Sequence, residues 1–160
     1  ILLQGDTVNS LLATEPGNPL DAVQGKALAD MIGEINGNLG KEYIANSERV
    51  SCVNGNSTTT DARLVVPAGV YAISASVVWE NGTNNLNGNR RISVLRGDFY
   101  DTETVTANDA AGCRSAQVQS CCGLFISSGN NVLRIFLLQN NTSPAEITAK
   151  NIKLLAVKIK

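Results

Sequence analysis

Val70-Tyr71-Ala72-Ile73-Ser74-Ala75-Ser76-Val77-Val78-Trp79 carries the plainest period-two alternation in this 160-residue chain. Tyr71, Ile73, Ala75, Val77 and Trp79 fall on one face of a strand, and Ala72, Ser74 and Ser76 on the other. An apolar row opposite small and hydroxyl residues marks an antiparallel sheet with one dry face. Pro67-Ala68-Gly69 sets the turn that starts the strand.

The same period recurs outward from this stretch. Residues 43–53, 63–66, 91–95, 102–106, 114–126, 132–139 and 147–159 read as further strands. Asn54-Gly55-Asn56 closes the first of them, and Gly129-Asn130-Asn131 predicts a hairpin between Ile126 and Val132. Eighteen asparagines, most of them in such turns, fit a residue type that tolerates left-handed backbone. Nothing after residue 40 has a helical period. The expectation is a mainly β fold, an antiparallel sandwich or jelly roll.

The front end differs. Residues 1–20 contain Pro16, Gly17 and Pro19 and read as an extended lead-in. Asp21 then opens a helix, with Gln24 three residues on as in a capping box, and Asn36-Gly37 stops it after Ile35. Val23, Leu28, Met31 and Ile35 form an apolar stripe of heptad type. At about 15 residues this helix is marginal alone, and Gly25 and Gly33 each cost about 1 kcal/mol relative to alanine. Its stripe therefore needs a surface, either the following domain or copies of itself. The domains are expected to be 1–40, a lead-in and helical coiled-coil neck, and 41–160, the head. The start at Ile1 reads as the C-terminal part of something longer.

Composition removes reaction classes. With no histidine there is no Ser-His-Asp or Cys-His pair, no His-ligated zinc and no imidazole switch. Thirteen Lys plus Arg against fourteen Asp plus Glu leave a net charge of −1 without a basic block, which disfavours nucleic acid. No apolar run reaches the length of a membrane span. The cysteines at 52, 113, 121 and 122 have no metal-ligand spacing. They read as small buried hydrophobes, with a Cys52 bridge to Cys113 or Cys121 left open, and Cys121 and Cys122 should face opposite ways. No metal, cofactor or catalytic residue is expected.

Two stretches resemble known families. Leu64-Val65-Val66-Pro67-Ala68-Gly69-Val70-Tyr71 resembles the Pro-x-Gly-x-Tyr strand entry of the C1q/TNF-like jelly roll, and residues 123–137 resemble that fold's late hairpin. Asn18-Pro19-Leu20-Asp21-Ala22-Val23-Gln24-Gly25-Lys26-Ala27-Leu28 resembles a segment common in tail-fibre and baseplate proteins of bacteriophages and prophages, over about a tenth of the chain. Together these imply a trimeric receptor-binding tip carried on a virion and synthesised in the host cytoplasm. They imply a homotrimer joined to the rest of a tail fibre before Ile1, with bacterial cell-surface polysaccharide or protein as its partner. A structural trimerisation module and a carboxylate-dependent glycan depolymerase are the alternatives.

Candidate ligand-binding residues follow from side-chain chemistry. Trp79 lies at a strand end beside the Asn-rich loop containing Asn84, Asn85 and Asn87, and reads either as a core anchor or as a sugar platform. Asp98 and Tyr100 sit in a Gly-Asp turn that also completes an Arg96-Gly97-Asp98 tripeptide. Asp98, Asp101, Glu103 and Asp109 are the carboxylates that a depolymerase reading requires, since glycosidases use two of them about 5–10 Å apart.

Overall fold

The computed structural model describes residues 22–80, 88–97, 103–111, 117–140 and 146–160. The chain divides into two units, Ile1–Leu39 and Gly40–Lys160. In the first, α1 spans Ala22–Asn38. It continues past Asn36-Gly37, where the sequence predicted a stop. Asn38 Nδ2 donates to the Glu34 carbonyl at 2.9 Å, and Leu39 N to that of Ile35 at 3.0 Å. The helix gives way at Gly40, whose φ of 75° lies in the left-handed region that glycine adopts without Cβ strain. The predicted cap at Asp21 lies outside the described residues.

The second unit contains β1 (Glu42–Val53), β2 (Ser57–Val66), β3 (Gly69–Glu80), β4 (Asn89–Arg96), β5 (Glu103–Ala111), β6 (Gln117–Ser127), β7 (Asn131–Asn140) and β8 (Glu146–Lys158). They form two four-stranded sheets, ordered β1-β8-β3-β6 and β2-β7-β4-β5, with every pairing antiparallel. Successive strands cross from one sheet to the other except between β4 and β5, which is the double Greek key of a jelly roll. The inward rows meet between the sheets. Tyr71, Ile73, Val77 and Trp79 of β3 and Ile147, Ile152 and Leu154 of β8 face Ile92, Val94, Leu133, Ile135 and Leu137 from the other sheet, all nearly sealed from solvent. Burial of this kind is the dominant favourable term in folding.

Two strands run beyond their sequence prediction for identifiable reasons. β2 starts at Ser57 rather than at 63, because Thr60 occupies an inward position where alternation demands an apolar residue. Its hydroxyl donates to the Ile135 carbonyl at 3.2 Å and accepts from Ala62 N at 3.3 Å, and the register shifts across Thr59/Arg63. A satisfied hydroxyl makes a buried Thr tolerable. β5 reaches Ala111 although Ala107-Asn108-Asp109-Ala110-Ala111 has poor strand propensity. It is held by its pairing with β4 and by side-chain bonds to β6: Thr106 Oγ1 donates to the Cys122 carbonyl at 2.9 Å and Asn108 Nδ2 to that of Ser120 at 2.7 Å. These two bonds cap carbonyls on the edge strand of the opposite sheet, a common way to protect an open edge.

Candidate functional site

The registers fix which side chains share the outer face of β1-β8-β3-β6. On β3 the outward residues are Val70, Ala72, Ser74, Ser76 and Val78, and their β6 partners are Ile126, Leu124, Cys122, Ser120 and Val118. Across β3 and β8, Ala72 meets Val157, Ser74 meets Leu155 and Ser76 meets Lys153. β1 completes the rows with Ile44 beside Leu155 and Asn46 beside Lys153.

The face is divided. One half, from Val70 and Ile126 to Ile44, Leu155 and Cys122, is mainly apolar, with Ser74 inside it and the exposed Glu42 beside Val157 at its β1 margin. Ile126 is 75% exposed, Leu124 69% and Ile44 48%. A one-sided antiparallel sheet ordinarily turns polar residues outward, and β6 reverses that rule. Adjacent exposed apolar side chains on a folded surface are the usual mark of an interaction site. The small Ala72 and Ser74 lie between the larger residues and give the patch relief.

The other half is polar. Glu80 pairs with Arg49 at 2.7 Å and also with Lys150, and Ser51 hydrogen-bonds Glu146. The Lys150 ammonium holds the Glu80 carboxyl below its ordinary range. Val118 and Val53, 67% and 46% exposed, and Val78 beside Val118 are the apolar members of this half. An apolar half beside a neutralised ionic half can take up another apolar surface in one orientation, since misplaced charges cost more than they return.

The sequence-predicted residues fall in several places. Trp79 is fully buried, which decides for the core anchor and corrects the sugar-platform alternative. Its indole Nε1 donates to Gln119 Oε1 at 2.8 Å, and the Arg90 guanidinium lies 5.5 Å over its ring. Gln119 Nε2 in turn donates to the Asn108 carbonyl at 2.6 Å and to that of Arg90 at 3.1 Å. Arg90 also bonds Gln117. An arginine and two glutamines inside the sandwich were invisible to pattern reading, because each breaks the alternation it occupies and is tolerated only through these partners.

Asn84, Asn85, Asn87, Asp98, Tyr100, Asp101 and Cys113 lie outside the described residues. Of the carboxylates needed for depolymerase chemistry, Asp109 is clamped by Arg91 through two 2.7 Å bonds, and Glu103 pairs with Arg96 at 2.6 Å. The Arg91 guanidinium keeps the Asp109 carboxyl below its usual range, whereas a general acid needs a raised value. Val23, Leu28, Met31 and Ile35 of α1 are 72%, 40%, 43% and 60% exposed in the single chain.

Cys52, Cys121 and Cys122 are free thiols. Cys121 is buried and Cys122 exposed, on opposite faces as the strand period required. Burial raises the Cys52 and Cys121 thiols to about 11, so both are inert. Among the described residues no His, Cys, Asp or Glu cluster could hold a metal, and no helix is long and apolar enough to cross a membrane.

Strand order and side-chain placement define a mainly β antiparallel jelly roll preceded by a short helix, with an unpartnered apolar half-face. No protein-family model matches this chain, and no curated protein matches it. Solved structures do. Eiger TNF from S. frugiperda is 11% identical with a TM-score of 0.49, the match covering 76% of this chain and 94% of that one. Murine APRIL is 18% identical with a TM-score of 0.47, covering 74% of this chain and 100% of that one. The VP2 subviral particle of infectious bursal disease virus is 13% identical with a TM-score of 0.48, covering 74% of this chain and 32% of that one. These likenesses concern the fold alone.

Proposed function

We propose that this chain is a non-enzymatic attachment head: a homotrimer, carried at the tip of a phage tail fibre or receptor-binding protein, that binds a glycan on the surface of a bacterial host. The observation that carries the reading is the apolar half-face of Ile44, Leu124, Ile126, Leu155 and Val157, which a monomer would leave in water. Association through this face buries it, and the stripe of Val23, Leu28, Met31 and Ile35 adds a second apolar surface for self-association. The resemblance of residues 18–28 to tail-fibre and baseplate segments supplies the biological setting. Three equivalent heads raise a weak single-site affinity by about 10²–10⁴ without any new contact.

Light scattering of the full chain, followed by retention of the tagged protein on a panel of bacterial cells, tests this. Three chains per particle together with retention on one host support the proposal. A monomer at tens of micromolar removes the trimer. A trimer retained on no cell wall is a structural module instead, and release of reducing ends that disappears in Asp98→Asn or Glu103→Gln makes it a depolymerase.

A further inference from the structure

The outer face of the second sheet, β2-β7-β4-β5, carries a depression of about 180 Å³ that plays no part in the apolar half-face. It exists because two small residues adjoin across strands: Ser93 of β4 pairs with Ala107 of β5. Larger neighbours rise around them. Phe136 is paired with Ser93 on the β7 side and Leu138 with Arg91, and Thr104 lies on the β5 side. Ser93 is almost covered, and its hydroxyl donates to the Phe136 carbonyl at 3.3 Å. Phe136 and Leu138 are both half-buried, so part of each faces the depression.

One rim is polar and rigid. Arg91 is held to Asp109 by Nε and Nη2 at 2.7 Å each, which fixes the guanidinium plane and leaves Nη1 outside that pair. The pair is neutral as a whole. The depression therefore combines an aromatic and aliphatic wall, a fixed planar donor, hydroxyls from Ser93 and Thr104, and no net charge.

We propose that this depression is a subsite for one neutral hexopyranose unit of a surface polysaccharide. The assignment rests on the reading of the chain as a glycan-attachment head and gives that head its contact residues. A pyranose has an apolar C–H face for the aromatic wall and a rim of hydroxyls for the polar side, and ligand sites generally pair apolar lining with a few placed polar groups. Arg91, the one charged residue among those lining the depression, is already taken up by Asp109, so a phosphate or uronate there would be desolvated beside that carboxylate. The volume admits about one ring. A site this small and shallow holds a single sugar with a Kd of order 1 mM, which three copies would convert into firm attachment. The two outer faces point in opposite directions, so the depression stays open when the apolar half-face is covered.

The test is an amide-shift titration of the isotopically labelled full chain with methyl glycosides of glucose, galactose, mannose and N-acetylglucosamine, alongside methyl glucuronoside and inorganic phosphate. The expected result is saturable shifts at Ser93, Ala107 and Leu138 with one neutral glycoside. Phe136→Ala should weaken that binding about tenfold or more. Ala107→Leu, at an exposed position that does not touch the core, should fill the depression and abolish both glycoside binding and cell retention at an unchanged melting temperature. Retention on cells that Ala107→Leu does not alter, or glycoside shifts that map elsewhere, overturns the subsite and leaves the attachment reading intact. Shifts at these residues with phosphate or glucuronoside alone overturn the neutral-sugar assignment. Glycoside shifts at the depression in a chain that no cell retains support the subsite and remove the attachment reading. Neither shifts nor retention removes both.

Discussion

Replacing Leu124 and Ile126 together by lysine tests the apolar half-face directly. The two side chains are 69% and 75% exposed in the single chain. Burying a whole side chain of this type is worth about 1.5–3 kcal/mol, so covering what is exposed returns about 1–2 kcal/mol each. A trimer that covers both in every copy gains about 6–12 kcal/mol from them, roughly 10⁴–10⁸ in its dissociation constant. The midpoint concentration follows the square root of that constant for a trimer, so it should rise by about 10²–10⁴, before the added cost of desolvating lysine. Sedimentation velocity between about 0.1 and 100 μM should show the wild-type chain as trimer and the double variant as monomer. The variant should keep its fold, because both residues face outward and surface substitutions usually change stability by no more than about 0.5 kcal/mol. Val65→Lys, at a 45% exposed position on β2 in the other sheet, should leave assembly unchanged. A double variant that assembles at the wild-type midpoint would refute the assignment, and dissociation by Val65→Lys alone would place the interface on the wrong sheet.

Other perturbations bear on the core and its margins. Trp79→Phe removes the donor to Gln119 Oε1 and leaves a buried acceptor without it, so urea denaturation should show a loss of about 1–3 kcal/mol. Gly69→Ala places a methyl 2.7 Å from Lys158 Cε and 2.8 Å from the Lys160 carbonyl oxygen at a φ of 152°; thermal unfolding should report a cost of about 1–3 kcal/mol or more. Burial holds the Cys52 and Cys121 thiols protonated to about 11 in the fold, against 9.0 in an open chain. The folded state then binds more protons than the unfolded state between those values, so stability falls as pH rises from 9 to 11, on the order of 1–3 kcal/mol per thiol. The Cys52→Ala, Cys121→Ala double variant should lose that part of the pH slope in urea titrations at pH 8.5 and 10.5. Asn108→Ala uncovers the Ser120 carbonyl on the edge of β6, and the expected outcome is faster aggregation on heating, followed by light scattering.

The sequence disclosed the jelly roll where alternation was unbroken. β3 and β7 run close to their predicted bounds, since Tyr71, Ile73, Val77 and Trp79, then Leu133, Ile135 and Leu137, supply period-two rows. Legibility failed where a polar group turns inward with a partner. Thr60, Arg90, Gln119 and Gln139 are buried, and each has a partner in a distant segment, as Gln139 Nε2 does in donating to the Cys52 carbonyl at 3.2 Å. A local window contains the side chain but not what satisfies it. The same limit hid the apolar half-face, because Leu124 and Ile126 on β6 alternate with Phe125 and Gly123 in a nearly continuous apolar run. Such a run shows that both faces are greasy, but only the pairing with Ala72 and Val70 shows which face lacks a partner.

The division of labour between the sheets follows from strand order. In β1-β8-β3-β6 the outward residues of β6 are apolar at one end, and this strand is the sheet's edge. In β2-β7-β4-β5 the outward side carries Arg63, Arg91 and Arg134 together with Asp61 and Asp109, with Arg63 directly across from Arg134 and Arg91 held to Asp109. Charged surface of that kind resists close homotypic packing, because each charge would have to be desolvated. On the proposed reading, self-association falls to the first sheet and ligand contact to the second. A head built this way can change the lining of its depression without disturbing its assembly. Variants at Phe136, Arg91 or Ala107 should accordingly alter what the trimer holds and leave the number of chains in it at three.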